Sequence, residues 1–124
     1  MMDMDGLKKI NDGYGHLAGN HAINIAANVI MTSVEKDDLL IRYGGDEFQI
    51  LSHNVDAAYW ENMSIILNDK LNACVEQQKL PYKLGISVGY CICDEEHPYS
   101  FEACCEQADV LMYENKKQRH AQNE

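Results

Sequence analysis

Apolar and polar positions along this chain repeat with two different periods, and the switches between them lay out its elements. From about Leu17 to Glu35 the apolar residues Ile23, Ala26, Ala27, Ile30 and Val34 recur at helical spacing, which predicts an amphipathic helix that exits through Glu35-Lys36-Asp37-Asp38. Leu39–Tyr43 and Glu47–Ser52 read as the two arms of a tight β-hairpin, because the intervening Gly44-Gly45 reaches positive φ without steric cost. Asp56 suits the N-cap of a helix running to about Lys79, with Tyr59, Met63, Ile66, Leu67, Leu71 and Cys74 inward and Pro81 closing it. Tyr82–Cys93 predicts a strand with Leu84, Ile86, Val88, Tyr90 and Ile92 on one face. Its other face, Gly85, Ser87, Gly89 and Cys91, is small enough for a helix to pack closely. Ser100 caps a last helix with Phe101, Cys104, Ala108, Leu111 and Met112 inward, and a polar tail from Lys116 is expected to fray. Residues 6–15 are turn-rich and allow a short helical turn through Leu7 to Asn11.

Composition narrows this to one soluble domain. The 124 residues suffice for a single core. A net charge of −10 argues against nucleic acid or anionic membrane as partners and favours a solvated acidic surface. No apolar run approaches the ~20 residues of a membrane helix. The acidic N-terminus lacks the apolar region of a signal peptide. A cytoplasmic location is the expectation. The five cysteines (Cys74, Cys91, Cys93, Cys104, Cys105) have no CxxC spacing and read as reduced, mostly buried thiols rather than zinc ligands.

Two segments carry candidate chemistry. In Asp3-Met4-Asp5-Gly6-Leu7-Lys8-Lys9-Ile10-Asn11-Asp12, alternating acids at a strand end precede a glycine turn, a lysine and an asparagine. Carboxylates take a hard cation, exposed backbone N–H groups cradle phosphate oxygens, and lysine neutralises charge developing on transfer. The second segment is Arg42-Tyr43-Gly44-Gly45-Asp46-Glu47-Phe48, where the turn presents Asp46 and Glu47 at a hairpin tip beside bare glycine backbone.

Gly44-Gly45-Asp46-Glu47-Phe48 resembles the signature of the GGDEF family, the diguanylate cyclases. Asp3, Asp5, Lys8, Asn11, Asp12, Gly15, His16 and Gly19 stand in register with the family's D-x-D-x-F-K-x-x-N-D-x-x-G-H-x-x-G-D run. Gly85–Gly89 resembles a later strand and Ala108–Lys116 the final helix, so the resemblance spans Asp3 to Lys116. It implies an α+β fold like that of nucleotidyl cyclases and polymerase palms, a mostly antiparallel sheet flanked by helices. It also implies condensation of two GTP into cyclic di-GMP and two pyrophosphates, with Mg²⁺ (or Mn²⁺), by a bacterial homodimer normally governed by an upstream sensory domain. The resemblance places Asp3, Asp46 and the Met4 carbonyl on the metal. It gives Asp46 the proton from the ribose 3′-hydroxyl and Glu47 a second acidic role. Lys8 and Lys116 fall on phosphate contacts, Asn11 on a guanine contact, and His16, Asn20, Gly44 and Gly45 around the nucleotide.

Four departures qualify it. Asn20 replaces the family's usual Asp, which weakens guanine selectivity, since an amide offers guanine N1–H and N2–H one acceptor instead of two and fits adenine somewhat better. Glu35 and Asp38 occupy the family's R-x-x-D product-inhibition positions, so no feedback through that site is expected. His120 stands at a phosphate-binding Arg position, with Arg119 one residue early. Only Met1 and Met2 precede Asp3, so the domain, drawn as residues 1–119 with a 120–124 tail, lacks the family's N-terminal helix and most of its first strand. The alternative function is a GGDEF-like module that binds nucleotide or regulates a partner without turnover, or a cyclase of altered base specificity.

Overall fold

The computed structural model describes residues 1–122. Its elements in chain order are β1 (Met2–Met4), α1 (Leu7–Tyr14), α2 (His16–Ser33), β2 (Leu39–Tyr43), β3 (Glu47–Leu51), α3 (Ala57–Gln78), β4 (Ile86–Val88) and α4 (Phe101–Gln122). The strands form one sheet in the order β2-β3-β1-β4, antiparallel at every step. This is the expected antiparallel sheet flanked by helices.

Alternation along the strands explains the layering. Met2, Met4, Phe48, Ile50, Ile86 and Val88 face a core shared with Ala22, Ala26 and Ile30 of α2 and with Trp60, Met63, Leu67 and Leu71 of α3. The opposite face carries Asp3, Asp5, Glu47, Gln49, Gly85, Ser87 and Gly89, and α4 covers it through buried Ala108 and Met112. A side chain at Gly89 would overlap the main chain of Ala108 and Met112, so the small-residue face of β4 is what lets α4 lie down on the sheet. The exposed edge of β4 is blunted by two side chains. Asn68 of α3 accepts from the Ile86 N–H (2.9 Å) and donates to the Ile86 carbonyl (3.0 Å), while Asn115 of α4 accepts from the Val88 N–H (3.0 Å).

Several elements differ from their sequence reading. The turn at Leu7–Asn11 is a full helix to Tyr14, launched by Gly6 at φ 69°. The expected strand Tyr82–Cys93 shrinks to Ile86–Val88, because among the described residues it pairs with β1 alone, which reaches no further than Met2–Met4. Asp56 caps α3 as expected, accepting from the Tyr59 N–H at 2.9 Å, but Ile66 is exposed and Trp60 takes the buried place. In α4, Phe101 and Leu111 are exposed, and the helix runs through Lys116 to Gln122. Residues 123–124 of the expected polar tail lie outside the described residues. The cysteines are free, and none is fully buried. Among the described residues no helix is long and apolar enough to cross a membrane.

Candidate functional site

β1 lies between β3 and β4 with Asp3 opposite both Glu47 and Ser87. Asp3 and Asp5 are two residues apart on a strand end and therefore share the face under α4. The hairpin loop is Gly44-Gly45-Asp46, since Tyr43 pairs with Glu47. Gly44 sits at φ 78°, the left-handed conformation that glycine accepts at no cost, and Arg42 Nη2 donates to the Gly45 carbonyl at 2.9 Å. Only Asp46 thus lies in the turn; Glu47, expected at the tip, is the first rung of β3. The Met4 N–H donates to the Asp46 carbonyl at 3.0 Å, which clamps the loop against the end of β1. In an antiparallel strand a residue's C=O faces the same side as its N–H, so the Met4 carbonyl also faces the Asp46 loop.

Asp3 is the electrostatic centre. It is 9% exposed, and its Oδ2 accepts from Lys116 Nζ of α4 at 2.6 Å. Its Oδ1 is buried without any hydrogen-bond partner. Burial is the chief cause that raises its carboxyl from 3.8 to about 6; Lys116 opposes the shift, and the neighbouring Asp46 carboxyl adds to it. Among the described residues no three His, Cys, Asp or Glu side chains are grouped to hold a metal ion. Asp3 and Asp46 with the Met4 carbonyl fit a hard cation in another way, as two carboxylates and one main-chain oxygen. The unpartnered Oδ1 is the atom such an ion would satisfy.

The Asp3 shift has a direct consequence. A folded carboxyl that holds its proton more tightly than an unfolded one contributes stability that is full below the unfolded pKa and lost as pH rises through the folded pKa. In a chelator, the chain should therefore lose on the order of 2 kcal/mol between about pH 4 and 6.5 from Asp3 alone. Urea melts across that range should show Asp3→Asn flattening the decline; an identical pH slope in the variant contradicts the assignment.

The remaining predicted residues are placed as follows. Lys8 is exposed on the first turn of α1 and makes no ion pair among the described residues. Asn11 is half-buried, with its amide filling the space that a Cβ at Gly19 would take, so a side chain there would push the Asn11 amide aside. His16 and Asn20 are both exposed, four residues apart on one face of α2. The structure therefore joins Asp3, Met4, Asp46 and Lys116 by direct contact, while Lys8, Asn11, His16 and Asn20 stand on α1 and α2 without bonds to them. Glu35 and Asp38 close a turn on themselves, the Asp38 carboxylate accepting from the Glu35 N–H at 2.9 Å.

Sequence reasoning gave Asp5 no role and left Arg119 open as a phosphate ligand. Arg119 Nε instead donates to Asp5 Oδ2 at 2.7 Å, and Ser87 Oγ donates to Asp5 Oδ1 at 2.5 Å. Asp5 is thus an anchor that ties the last turns of α4 to the sheet, and with Lys116–Asp3 it sets the helix over the site. The D-x-D alternation was the available signal, since it puts both acids on one face. A cleft of about 660 Å³ lined by Met1, Leu51, Trp60, Tyr90 and Phe101 lies elsewhere; neither Asp3 nor Asp46 lines it.

Comparison with known proteins agrees with this geometry. The family described as "Diguanylate cyclase, GGDEF domain" matches residues 1–122. The chain is 32% identical over 122 residues to cyclic di-GMP phosphodiesterase PdeR of Escherichia coli K12, covering 94% of this chain and 17% of that protein. It is 30% identical over 122 residues to diguanylate cyclase A of Treponema denticola, covering 94% of this chain and 32% of that protein. The chain thus spans a third or less of the length of these relatives. Among solved structures, the GGDEF domain of YfiN (TpbB) from Pseudomonas aeruginosa superposes with a TM-score of 0.77 at 26% identity, covering 94% of this chain and 73% of that one. The sheet order, the clamped Gly-Gly-Asp loop and these likenesses together make the chain a member of the GGDEF family of diguanylate cyclase domains.

Proposed function

We propose that this domain binds GTP with a divalent cation and condenses two GTP molecules into cyclic di-GMP and two pyrophosphates. The observation that carries the reading is the Asp3–Asp46 pair, with an unpartnered buried oxygen and a main-chain carbonyl beside it. Asp3, Asp46 and the Met4 carbonyl would hold Mg²⁺ or Mn²⁺, which supplies charge neutralisation for the triphosphate and acidifies the attacking hydroxyl. Asp46, on a loop open to solvent, takes the proton of the ribose 3′-hydroxyl. The first turn of α1 offers unpaired backbone N–H groups and Lys8 to phosphate oxygens. Lys116 neutralises Asp3, and would be free to meet a phosphate oxygen where a cation takes over that carboxylate. Asn11, His16 and Asn20 border the base, and Asn20 lowers selectivity for guanine. Each domain holds one GTP, so synthesis requires two copies facing each other, aligned by a sensory domain on a longer protein. The relative named a cyclic di-GMP phosphodiesterase shows that the family's domain also occurs in proteins named for the opposite activity.

A specific observation favours a second reading, nucleotide binding without turnover. Arg119 is committed to Asp5, and His120 is exposed at the position where the family resemblance expects a phosphate-binding arginine. Incubating the concentrated chain with GTP and Mg²⁺ and separating the products distinguishes the two. Cyclic di-GMP with twice its amount of pyrophosphate supports the cyclase; bound but unconverted GTP supports the module.

A further inference from the structure

α4 lies antiparallel to the chain that forms β4 and continues beyond it. Gly85 faces Arg119, Val88 bonds Asn115, Gly89 packs on Ala108 and Met112, Cys91 Sγ reaches Gln107 Oε1 at 3.5 Å, and Cys93 Sγ contacts Tyr99. At about 1.5 Å per helical residue and about 3.3 Å per extended residue, the step from Arg119 back to Cys104 matches roughly seven residues beyond Gly85. That position falls between Cys91 and Cys93, and both line one cleft with Cys104.

Local hydrogen bonds hold the Cys93 sulfur and the backbone of Cys104 near the start of α4. Cys93 Sγ accepts from the Tyr99 N–H and donates to the Tyr99 carbonyl, both at 3.4 Å, just before α4 begins. Cys104 sits in the first turn of α4, its N–H donating to the Ser100 carbonyl at 2.9 Å, while Ser100 Oγ caps Ala103 at 3.1 Å. Cys93 is exposed and Cys104 half-buried.

We propose that Cys93 and Cys104 form a redox site that closes to a disulfide and pins the first turn of α4 to the segment after β4. The co-reactant is a low-molecular-weight disulfide. The Cys93 thiolate attacks one of its sulfurs, its S–S bond breaks, one thiol leaves, and a mixed disulfide forms on Cys93. The Cys104 sulfur, giving up its proton, then attacks Cys93 Sγ and expels the second thiol. The two protein thiols lose two protons and two electrons, and the oxidant is reduced to two thiols. Burial, with the Cys91 and Cys93 thiols beside it, pushes the Cys104 thiol up to about 12. The resting form is therefore the neutral thiol, and closure is slower than the first adduct.

The test is oxidised glutathione added to the reduced chain, followed by intact mass and non-reducing peptide mapping over time. The expected result is a glutathione adduct on Cys93 that gives way to a Cys93–Cys104 cross-link. Tm should rise by about 5–10 °C, reversibly in dithiothreitol. Cys93→Ser and Cys104→Ser should each abolish the cross-link, and Cys74→Ser should not. Stable adducts without a cross-link, or a bond from Cys104 to Cys91 or from either residue to Cys105, would overturn the proposal.

Discussion

An Asp46→Asn variant is expected to fold and melt like the parent in a chelator, yet to form cyclic di-GMP at least about 1,000-fold more slowly, a loss of roughly 4 kcal/mol of transition-state stabilisation. Three roles meet in this carboxylate. In the proposed reaction it would supply one of two anionic oxygens to the cation and would accept the proton of the attacking hydroxyl. Its charge also adds to the burial that raises the Asp3 carboxyl. Asparagine matches its size and leaves the loop clamp untouched, because the Met4 N–H bonds the main-chain carbonyl of residue 46, not its side chain. Initial rates at saturating Mg²⁺, alongside thermal melts with and without the cation, separate lost chemistry from lost fold. Parent-like rates in a well-folded Asp46→Asn protein would remove Asp46 from the reaction.

Gly89→Val is expected to have the largest effect on folding. A Cβ at this position would overlap the main chain of Ala108 and Met112, which are backbone atoms in the middle of a long helix and cannot swing aside. α4 must lift off the sheet, uncovering Met112 and loosening the Lys116–Asp3 and Arg119–Asp5 pairs together. A loss above about 4 kcal/mol is expected, enough to unfold a marginally stable domain. Circular dichroism should show either an unfolded chain or a midpoint far below that of the parent. Gly13→Val is a suitable control, because no atom lies near the Cβ it would introduce. Similar midpoints for Gly89→Val and the parent would mean that α4 does not rest on β4 as described.

Much of this arrangement was legible beforehand because it rests on periodicity. The small face Gly85, Ser87, Gly89 and Cys91 announced a closely packed helix, and α4 lies there. The Asp56 cap, the limits of β2 and the spacing of Met63, Leu67 and Leu71 follow from local chemistry alone. Long-range facts were not legible. The contraction of β4 depends on the length of its neighbour β1, which residues 82–93 do not encode. The inward turn of Trp60 in place of Ile66 depends on how α3 rotates against the sheet. At the site, motif positions located Asp3, Asp46 and Lys116, but not that Lys116 spans from α4 to neutralise Asp3. Nor did they reveal that Arg119, one residue early for a phosphate, binds Asp5.

The central claim is that Asp3 and Asp46 build a cation-dependent nucleotide site. Calorimetric titration of GTP into the chain, in Mg²⁺ and then in a chelator, tests it most directly. The account predicts binding at least about 10-fold tighter with Mg²⁺, a difference of about 1.4 kcal/mol or more, and no such gain in Asp3→Asn. Equal affinity with and without the cation, or an undiminished gain in Asp3→Asn, would contradict it.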